Sequence, residues 1–404
     1  MNSTTDFRKI ENSIPVAPLV IAVHDSAASL GRDVDRIISS KRKKDRTQYE
    51  GSPVIEGYCR KSYIVDMQCT RFGTGEGKAV FEESVRGKDV FILIDICNNS
   101  LTYRMNGFIN HMSPDDLYQD LKRMIAAAAG KAKRINVIMP FLYEGRQHKR
   151  NSRESLDCAF MLDELYHMGI DNFITFDAHD PRVANAIPLS GFDNYTPPYQ
   201  FIKALLGSED DLIIDKDHLV VISPDEGALD RSVYFANVLC VNTGMFYKRR
   251  DYSKIVNGKN PIVAHEFLGD DIDGKDVIVM DDMISSGESM LDTARQLKEM
   301  NAKRVYICCT FGLFTNGLKA FDEAYEKCYF DKVVTTNLNY FPPELKTKPY
   351  YIEADMSGFL ADIIDFMNHD VSMSNVHTPA EKIHDVINKY NKRQNFDFDD
   401  VKKK

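Results

Sequence analysis

The segment Asp281-Asp282-Met283-Ile284-Ser285-Ser286-Gly287-Glu288-Ser289 follows the apolar run Val277 to Met280 and leads into an amphipathic stretch. These types in this order suit an anion and a polyol side by side. Backbone N–H groups at a small-residue turn and at the start of a helix form an anion nest, helped by the helix dipole. Gly287 permits close backbone approach, and Ser285, Ser286 and Ser289 can donate hydroxyls to phosphate oxygens. Asp281 and Asp282 would repel a phosphate and suit sugar hydroxyls or a metal at a strand end. An ordinary βα turn, with Ser as N-cap and Asp as turn former, accounts for the same residues. The loop is not a Walker loop, because no GxxxxGK[ST] occurs.

Three other groups could do chemistry. Arg146 and Gln147, followed by His148, Lys149, Arg150 and Arg153, make a local cationic patch in an acidic chain. Such a patch suits a polyphosphate, and a solvated basic turn is the alternative. His179, between Asp177 and Asp180, and Asp225, after Ser223-Pro224, each follow an apolar run. At strand ends they are two possible ligands of one Mg²⁺ bridging phosphates, although histidine is a less usual Mg²⁺ ligand than oxygen and the spacing alone does not propose the pair. Lys248-Arg249-Arg250 opens the polar stretch Tyr247 to Pro261. A mobile loop with three cations could close on a transition state and neutralise developing charge, and a solvated loop is the plain reading.

The elements that must hold these residues can be read from periodicity. Short apolar runs predict strands at Leu19–Val23, Val90–Ile96, Ile135–Met139, Phe173–Phe176, Leu219–Ile222, Val277–Met280, Val305–Thr310 and Lys332–Thr336. Several are continuous apolar runs, as in a parallel sheet covered on both faces. Helices are predicted at Leu30–Ser40, Pro114–Ala129, Ser155–Met168, Leu229–Leu239, Ser289–Met300 and Phe314–Lys327. The alternation means α/β architecture with right-handed crossovers. Asn194-Tyr195-Thr196-Pro197-Pro198 breaks the pattern and marks a domain boundary. Lys41–Gly57 reads as an insertion, and Asn375–Lys404 as a solvated, partly helical tail.

The 404 residues suffice for two or three domains with real cores. A net charge of −9 removes any global pull towards nucleic acid or anionic membrane, so a bound anion needs a local site. The eight cysteines show no CxxC pair and no zinc-like spacing, and read as buried free thiols in a reducing compartment. Met1–Ile14 is polar without a signal-peptide core, and no apolar stretch approaches the ~20 residues that span a bilayer. A cytoplasmic protein is expected.

The Asp281–Ser289 loop resembles the phosphoribosyl-pyrophosphate (PRPP) loop of phosphoribosyltransferases and ribose-phosphate pyrophosphokinases, with Ser285 where that loop usually has a third carboxylate and Glu288 where it has a small residue. Further segments resemble the pyrophosphokinases alone, and in their order. These are Arg71-Phe72-Gly73-Thr74-Gly75-Glu76, Ser84-Val85-Arg86-Gly87-Lys88-Asp89-Val90, Pro140 to Gln147, Phe176-Asp177-Ala178-His179, Ser223-Pro224-Asp225-Glu226-Gly227 with Arg231, and Val333 to Asn337. The resemblance runs over about residues 19 to 374, interrupted near Lys41–Ser62 and Asn98–His111; order across several segments is more specific than any one motif.

The resemblance implies two phosphoribosyltransferase-like α/β domains, each a mostly parallel sheet flanked by helices. It suggests an N-terminal extension at 1–18, a nucleotide-side domain at 19–193 and a ribose 5-phosphate-side domain at 194–350. A segment at 351–374 would pack back on the first domain, before the polar tail 375–404. It implies transfer of the β,γ-pyrophosphoryl group of ATP to the C1 hydroxyl of ribose 5-phosphate with Mg²⁺. Ser285, Ser286, Gly287 and Ser289 would then hold the 5-phosphate, and Asp281 and Asp282 the ribose and its metal. Arg146, Gln147 and Arg153 would hold ATP, His179 and Asp225 the Mg²⁺, with His179 catalytic beside Lys248 and Arg250, which match the family's Lys-x-Arg pair. Phe72 and Glu76 would complete the nucleotide pocket of a neighbouring subunit, so a homo-oligomer is implied. A noncatalytic partner of an active paralogue, in a hetero-oligomer, and a PRPP-consuming phosphoribosyltransferase are the alternatives.

Overall fold

The computed structural model describes residues 13–44, 57–250, 262–373 and 380–391, with the backbone alone at 248–250 and 262–265. The chain divides into two units, one of Met1–Thr196, Asn337–Tyr340 and Met356–Thr378, the other of Pro197–Thr336, Phe341–Asp355 and Pro379–Lys404.

The first unit is built on five parallel strands in chain order: β1 (Leu19–Val23), β4 (Asp89–Leu93), β7 (Arg134–Ile138), β8 (Asn172–Phe176) and β9 (Gly191–Tyr195). Strands β1, β4, β7 and β8 are almost wholly buried, which is why they read as mainly apolar runs. Helices α1 (Ala28–Lys44), α2 (Pro114–Ala128), α3 (Asp157–His167) and α8 (Ser357–Asn368) belong to this unit. Helix α2 starts at a full capping box, Ser113 with Asp116, and has Pro114 at its first position. Two hairpins lie outside the sheet: β2 (Met67–Arg71) with β3 (Gly77–Phe81), and β5 (Thr102–Met105) with β6 (Phe108–His111). The buried Arg42 of α1 is held by α8, with Nε and Nη2 donating to Asp365 at 2.8 and 2.6 Å and Nη2 to Asn368 at 2.7 Å. Tyr58 and Tyr63 lie against its guanidinium.

The second unit has a seven-stranded sheet in the order β12-β11-β10-β13-β14-β15-β16. Its strands are β10 (Leu219–Ser223), β11 (Asn242–Arg250), β12 (Ile262–Leu268), β13 (Asp276–Ile284), β14 (Arg304–Gly312), β15 (Lys332–Thr336) and β16 (Tyr351–Ala354). All pairings are parallel except β11 with β12. The strand order reverses between β10 and β13, the kind of switch point where open α/β sheets place ligands. Helices α4 (Pro198–Ser208), α5 (Leu229–Leu239), α6 (Glu288–Glu299), α7 (Lys319–Glu326) and α9 (Ala380–Asn391) complete the unit.

Several expectations change. Pro197-Pro198 opens α4 instead of only breaking the pattern, because Pro is well placed in a first helical turn. Tyr247 to Arg250 are strand, paired antiparallel with β12, and 251–261 lie outside the described residues. Lys41–Lys44 finish α1, while 45–56 are outside the described residues. The expected solvated tail contains α9, whose Ile383 and Ile387 are buried among Leu206, Val238 and Leu239. Tyr390 Oη donates to the Glu209 carbonyl at 2.5 Å, and His384 bonds the Val238 carbonyl at 2.8 Å. The cysteines are all free, but Cys59, Cys240 and Cys328 are exposed.

Candidate functional site

In the second unit, Asp281 and Asp282 sit within β13, which runs on to Ile284 beside β14. The chain then turns through Ser285 and Ser286, both half-buried, to Gly287, the N-cap of α6 at φ +86°. Only glycine takes that conformation cheaply, and a Cβ there would collide with the Phe321 ring. The Leu291 N–H bonds the Gly287 carbonyl at 2.9 Å, and the Thr315 N–H ties the Ser285 carbonyl at 2.9 Å. The turn is therefore fixed from both sides, with the N-terminal dipole of a twelve-residue helix behind it. Glu288 and Ser289 are exposed at its first positions.

The paired carboxylates carry the electrostatics. Burial, then the adjacent Asp282 charge, pushes the Asp281 carboxyl well above the usual range, while Arg231 pulls it down. Arg231 Nη1 lies 3.3 Å from Asp281 Oδ1 and 3.9 Å from Asp282 Oδ1. One guanidinium thus serves two carboxylates, and a dication with a taste for hard oxygen donors fits what remains of their repulsion. Asp225 lies just past the C-terminal end of β10, which pairs in parallel with β13, and its Oδ1 accepts the Gly227 and Ala228 N–H groups at 3.0 and 3.3 Å.

In the first unit, Arg146 and Gln147 follow β7, and His179 follows β8, at the C-terminal edge of the parallel sheet. The Gln147 amide donates to the Ser155 carbonyl at 2.8 Å and spans the loop that carries Arg153. Arg146, Arg153 and His179 are exposed. The His148 and His179 rings are 5.4 Å apart, and His148 Nε2 is 3.4 Å from Asp180 Oδ2. Arg182 holds the Asp180 carboxyl down at about 2, with His148 adding to it. His148 is therefore part of the His179 turn and not simply one more solvated cation. Phe72 and Glu76 are exposed on the β2–β3 turn, where Thr74 donates to Glu76 at 2.9 Å. Lys248 and Arg250 lie on β11, level with His265 and Ile262 of β12.

A mixed donor set, His24, Cys69 and Asp120, has ligand atoms within 4.8 Å of one another. The Ser26 N–H donates to His24 Nδ1 at 3.1 Å, which leaves the proton of the neutral ring on Nε2, facing Asp120 at 3.5 Å. Arg71 and Arg123 already occupy that carboxylate, and burial, helped by Asp120, pushes the Cys69 thiol up to about 12. The trio reads as a hydrogen-bonded anchor for β2.

Residues 29–169 match the model for the N-terminal domain of ribose phosphate pyrophosphokinase, and residues 197–347 match the phosphoribosyl transferase domain. A ribose-phosphate pyrophosphokinase of Corynebacterium efficiens is 30% identical over 278 residues, 68% of this chain and 77% of that protein. This chain belongs to the ribose-phosphate pyrophosphokinase family. A family member from Rhodopirellula baltica is 26% identical over 327 residues, 80% of this chain and 94% of its own length. A phosphoribosylpyrophosphate synthetase from Mycobacterium smegmatis shares the fold at a TM-score of 0.67 and 22% identity, over 87% of this chain and 99% of that one. His179 falls between the two family segments, whereas the other candidate residues lie inside them.

Two relations, one in each unit of this pyrophosphokinase-family chain, escape sequence reading. Arg231 appears in sequence only as a residue after Ser223–Gly227, and folding alone brings it to the carboxylates. The His148–Asp180 pair joins two loops, and nothing in the spacing signals it.

Proposed function

We propose that the chain transfers the β,γ-pyrophosphoryl group of ATP to ribose 5-phosphate, giving PRPP and AMP, as a ribose-phosphate diphosphokinase. The observation that carries this reading is the loop at the switch point, where two carboxylates inside β13 run into the Ser285–Ser289 nest at the start of α6. An anion pocket beside two sugar-orienting carboxylates is what a phosphorylated ribose requires.

In this reading Ser285, Ser286, Gly287 and Ser289 receive the 5-phosphate, and Asp281 and Asp282 orient the ribose hydroxyls. Arg146, Gln147 and Arg153 take the ATP phosphates, and Lys248 and Arg250 neutralise charge on the transferring group. The C1 oxygen attacks the β-phosphorus, the bond from that phosphorus to the α,β-bridging oxygen breaks, and AMP departs. Such a displacement needs positioning and charge stabilisation more than a covalent nucleophile. Mg²⁺ would supply charge neutralisation on the phosphates, with Asp281 and Asp282 as oxygen donors on the ribose side, and with His179 and Asp225 each a candidate ligand from its own turn. Phe72 and Glu76 would serve the nucleotide of a second copy, in a homo-oligomer. Eight free thiols suit a reducing compartment, and we place the enzyme in the cytoplasm.

The test is AMP and PRPP formation from ATP and ribose 5-phosphate with Mg²⁺, on purified protein beside His179→Ala. Activity that collapses in the variant is expected. A folded wild type that makes no product across Mg²⁺ and phosphate concentrations overturns the reading. Glu288, an exposed carboxylate at the mouth of the anion nest, favours a second reading, a noncatalytic partner of an active paralogue. That partner would be silent alone and would change the paralogue's rate on mixing.

A further inference from the structure

The β5–β6 hairpin falls in the Asn98–His111 stretch where the family resemblance is interrupted, and no step of the reaction uses it. Its tip is nevertheless fastened to the Phe72–Glu76 turn. The Asn106 N–H donates to the Gly73 carbonyl at 2.9 Å. A Cβ on Gly75 would lie 2.7 Å from Met105 Sδ and 3.8 Å from Tyr103 Cε2, so the β5 side chains rest directly on the turn's backbone. The tip itself is Asn106-Gly107 with φ of 51° and 85°, the two positive angles of a tight two-residue hairpin turn.

The turn has its own short bonds, Phe72 N–H to Glu76 carbonyl at 2.7 Å and Gly75 N–H to Phe72 carbonyl at 2.9 Å. Arg71, at its base, forks onto Asp120 at 2.6 and 2.7 Å, with its guanidinium 5.4 Å from the Tyr103 ring centroid. Backbone and base are gripped, while Phe72 stays 53% exposed and Glu76 faces solvent. An exposed aromatic and carboxylate on a backbone that is already ordered bind a ligand without the cost of ordering it.

We infer that the β5–β6 hairpin is a positioning element for the nucleotide-binding turn, acting through Met105, Tyr103 and the Asn106 N–H. The inference rests on the proposed function, which places Phe72 and Glu76 at ATP. It assigns nucleotide affinity, and not ribose 5-phosphate affinity, to a hairpin that the proposed function gives no role of its own.

The test uses the full chain and two variants. Met105→Ala removes the thioether from Gly75. A second variant replaces Thr102–His111 by a short Gly-Ser link. Steady-state PRPP formation should show KM for ATP raised roughly fivefold in Met105→Ala and further in the link variant. KM for ribose 5-phosphate should stay within about twofold, and Met105→Leu, of similar volume, should restore the ATP value. The same proteins are titrated calorimetrically with a nonhydrolysable ATP analogue. If the wild type makes no PRPP, the proposed function fails, and the calorimetric affinities still decide this inference. Unchanged analogue affinity in a folded Met105→Ala, or equal shifts for both substrates, overturns it.

Discussion

At the scale of single residues, the turn proposed to take the phosphate was legible as strand, turn and helix because its parts are local. Ser285, Ser286, Gly287 and Ser289 need only one strand and one helix to act together, and both elements read plainly from apolar periodicity. Arg231 was not legible as a partner of Asp281, because 50 positions separate them and only the parallel pairing of β10 with β13 closes that gap. Glu288 gives a prediction with two opposite signs. Its carboxylate stands at the first position of α6, where it favours the helix dipole and opposes a bound phosphate. Replacing it with Ala should lower stability by about 0.5 kcal/mol in urea titrations. The same change should lower KM for ribose 5-phosphate about fivefold, the equivalent of about 1 kcal/mol of relieved repulsion. A higher KM would show that Glu288 contacts the sugar instead.

Among the elements, the eight predicted strands all appear, Leu19–Val23 and Lys332–Thr336 at the same bounds and the other six with an end shifted by a residue or more, since buried parallel strands are the clearest pattern a sequence offers. The β2–β3 and β5–β6 hairpins were missed because they are short and alternate between exposed and half-buried positions. Asp120 of α2 anchors β2, and its chemistry makes this anchor sensitive to acid. Burial works to raise its carboxyl, but hydrogen bonds from His24, Arg71 and Arg123 win and hold it at about 2, against an ordinary 3.8. The folded value is the lower one, so the stabilisation is present above 3.8 and is lost as pH falls through about 2. At full extent it is worth roughly 2 kcal/mol. Melting curves of wild type and Asp120→Asn should therefore differ most near neutrality and converge as the pH approaches 2. A constant difference across that range would mean that the carboxylate's charge is not what holds β2.

For the whole molecule, the chain's path matters more than its composition. It leaves the first unit at Thr196, returns for Asn337–Tyr340, leaves again, and returns at Met356 for α8. Nothing in composition or periodicity reveals such a return; the segment 351–374 was expected to pack back on the first domain only through family resemblance. Truncation after Asp355 removes α8, and with it Asp365 and Asn368, from Arg42. A buried guanidinium without its carboxylate costs about 3–5 kcal/mol, before any loss of apolar burial is counted. The truncated protein should show amide exchange through β1 and β4 far faster than the full chain does. Protection equal to wild type would mean that α8 is dispensable to the first unit.

The Arg42–Asp365 pair also fixes an order of events during synthesis. The two residues are 323 positions apart, so at about 5–20 residues per second the ribosome needs tens of seconds to follow one with the other. The amino-terminal unit, translated first, cannot close its own core until almost the whole chain has emerged. The second unit's sheet is complete by Ala354, before α8 has been made. The unit that is born first must therefore wait for α8, which is made only after the second unit's sheet, and a nascent chain stalled near residue 300 leaves it open to chaperones and proteases.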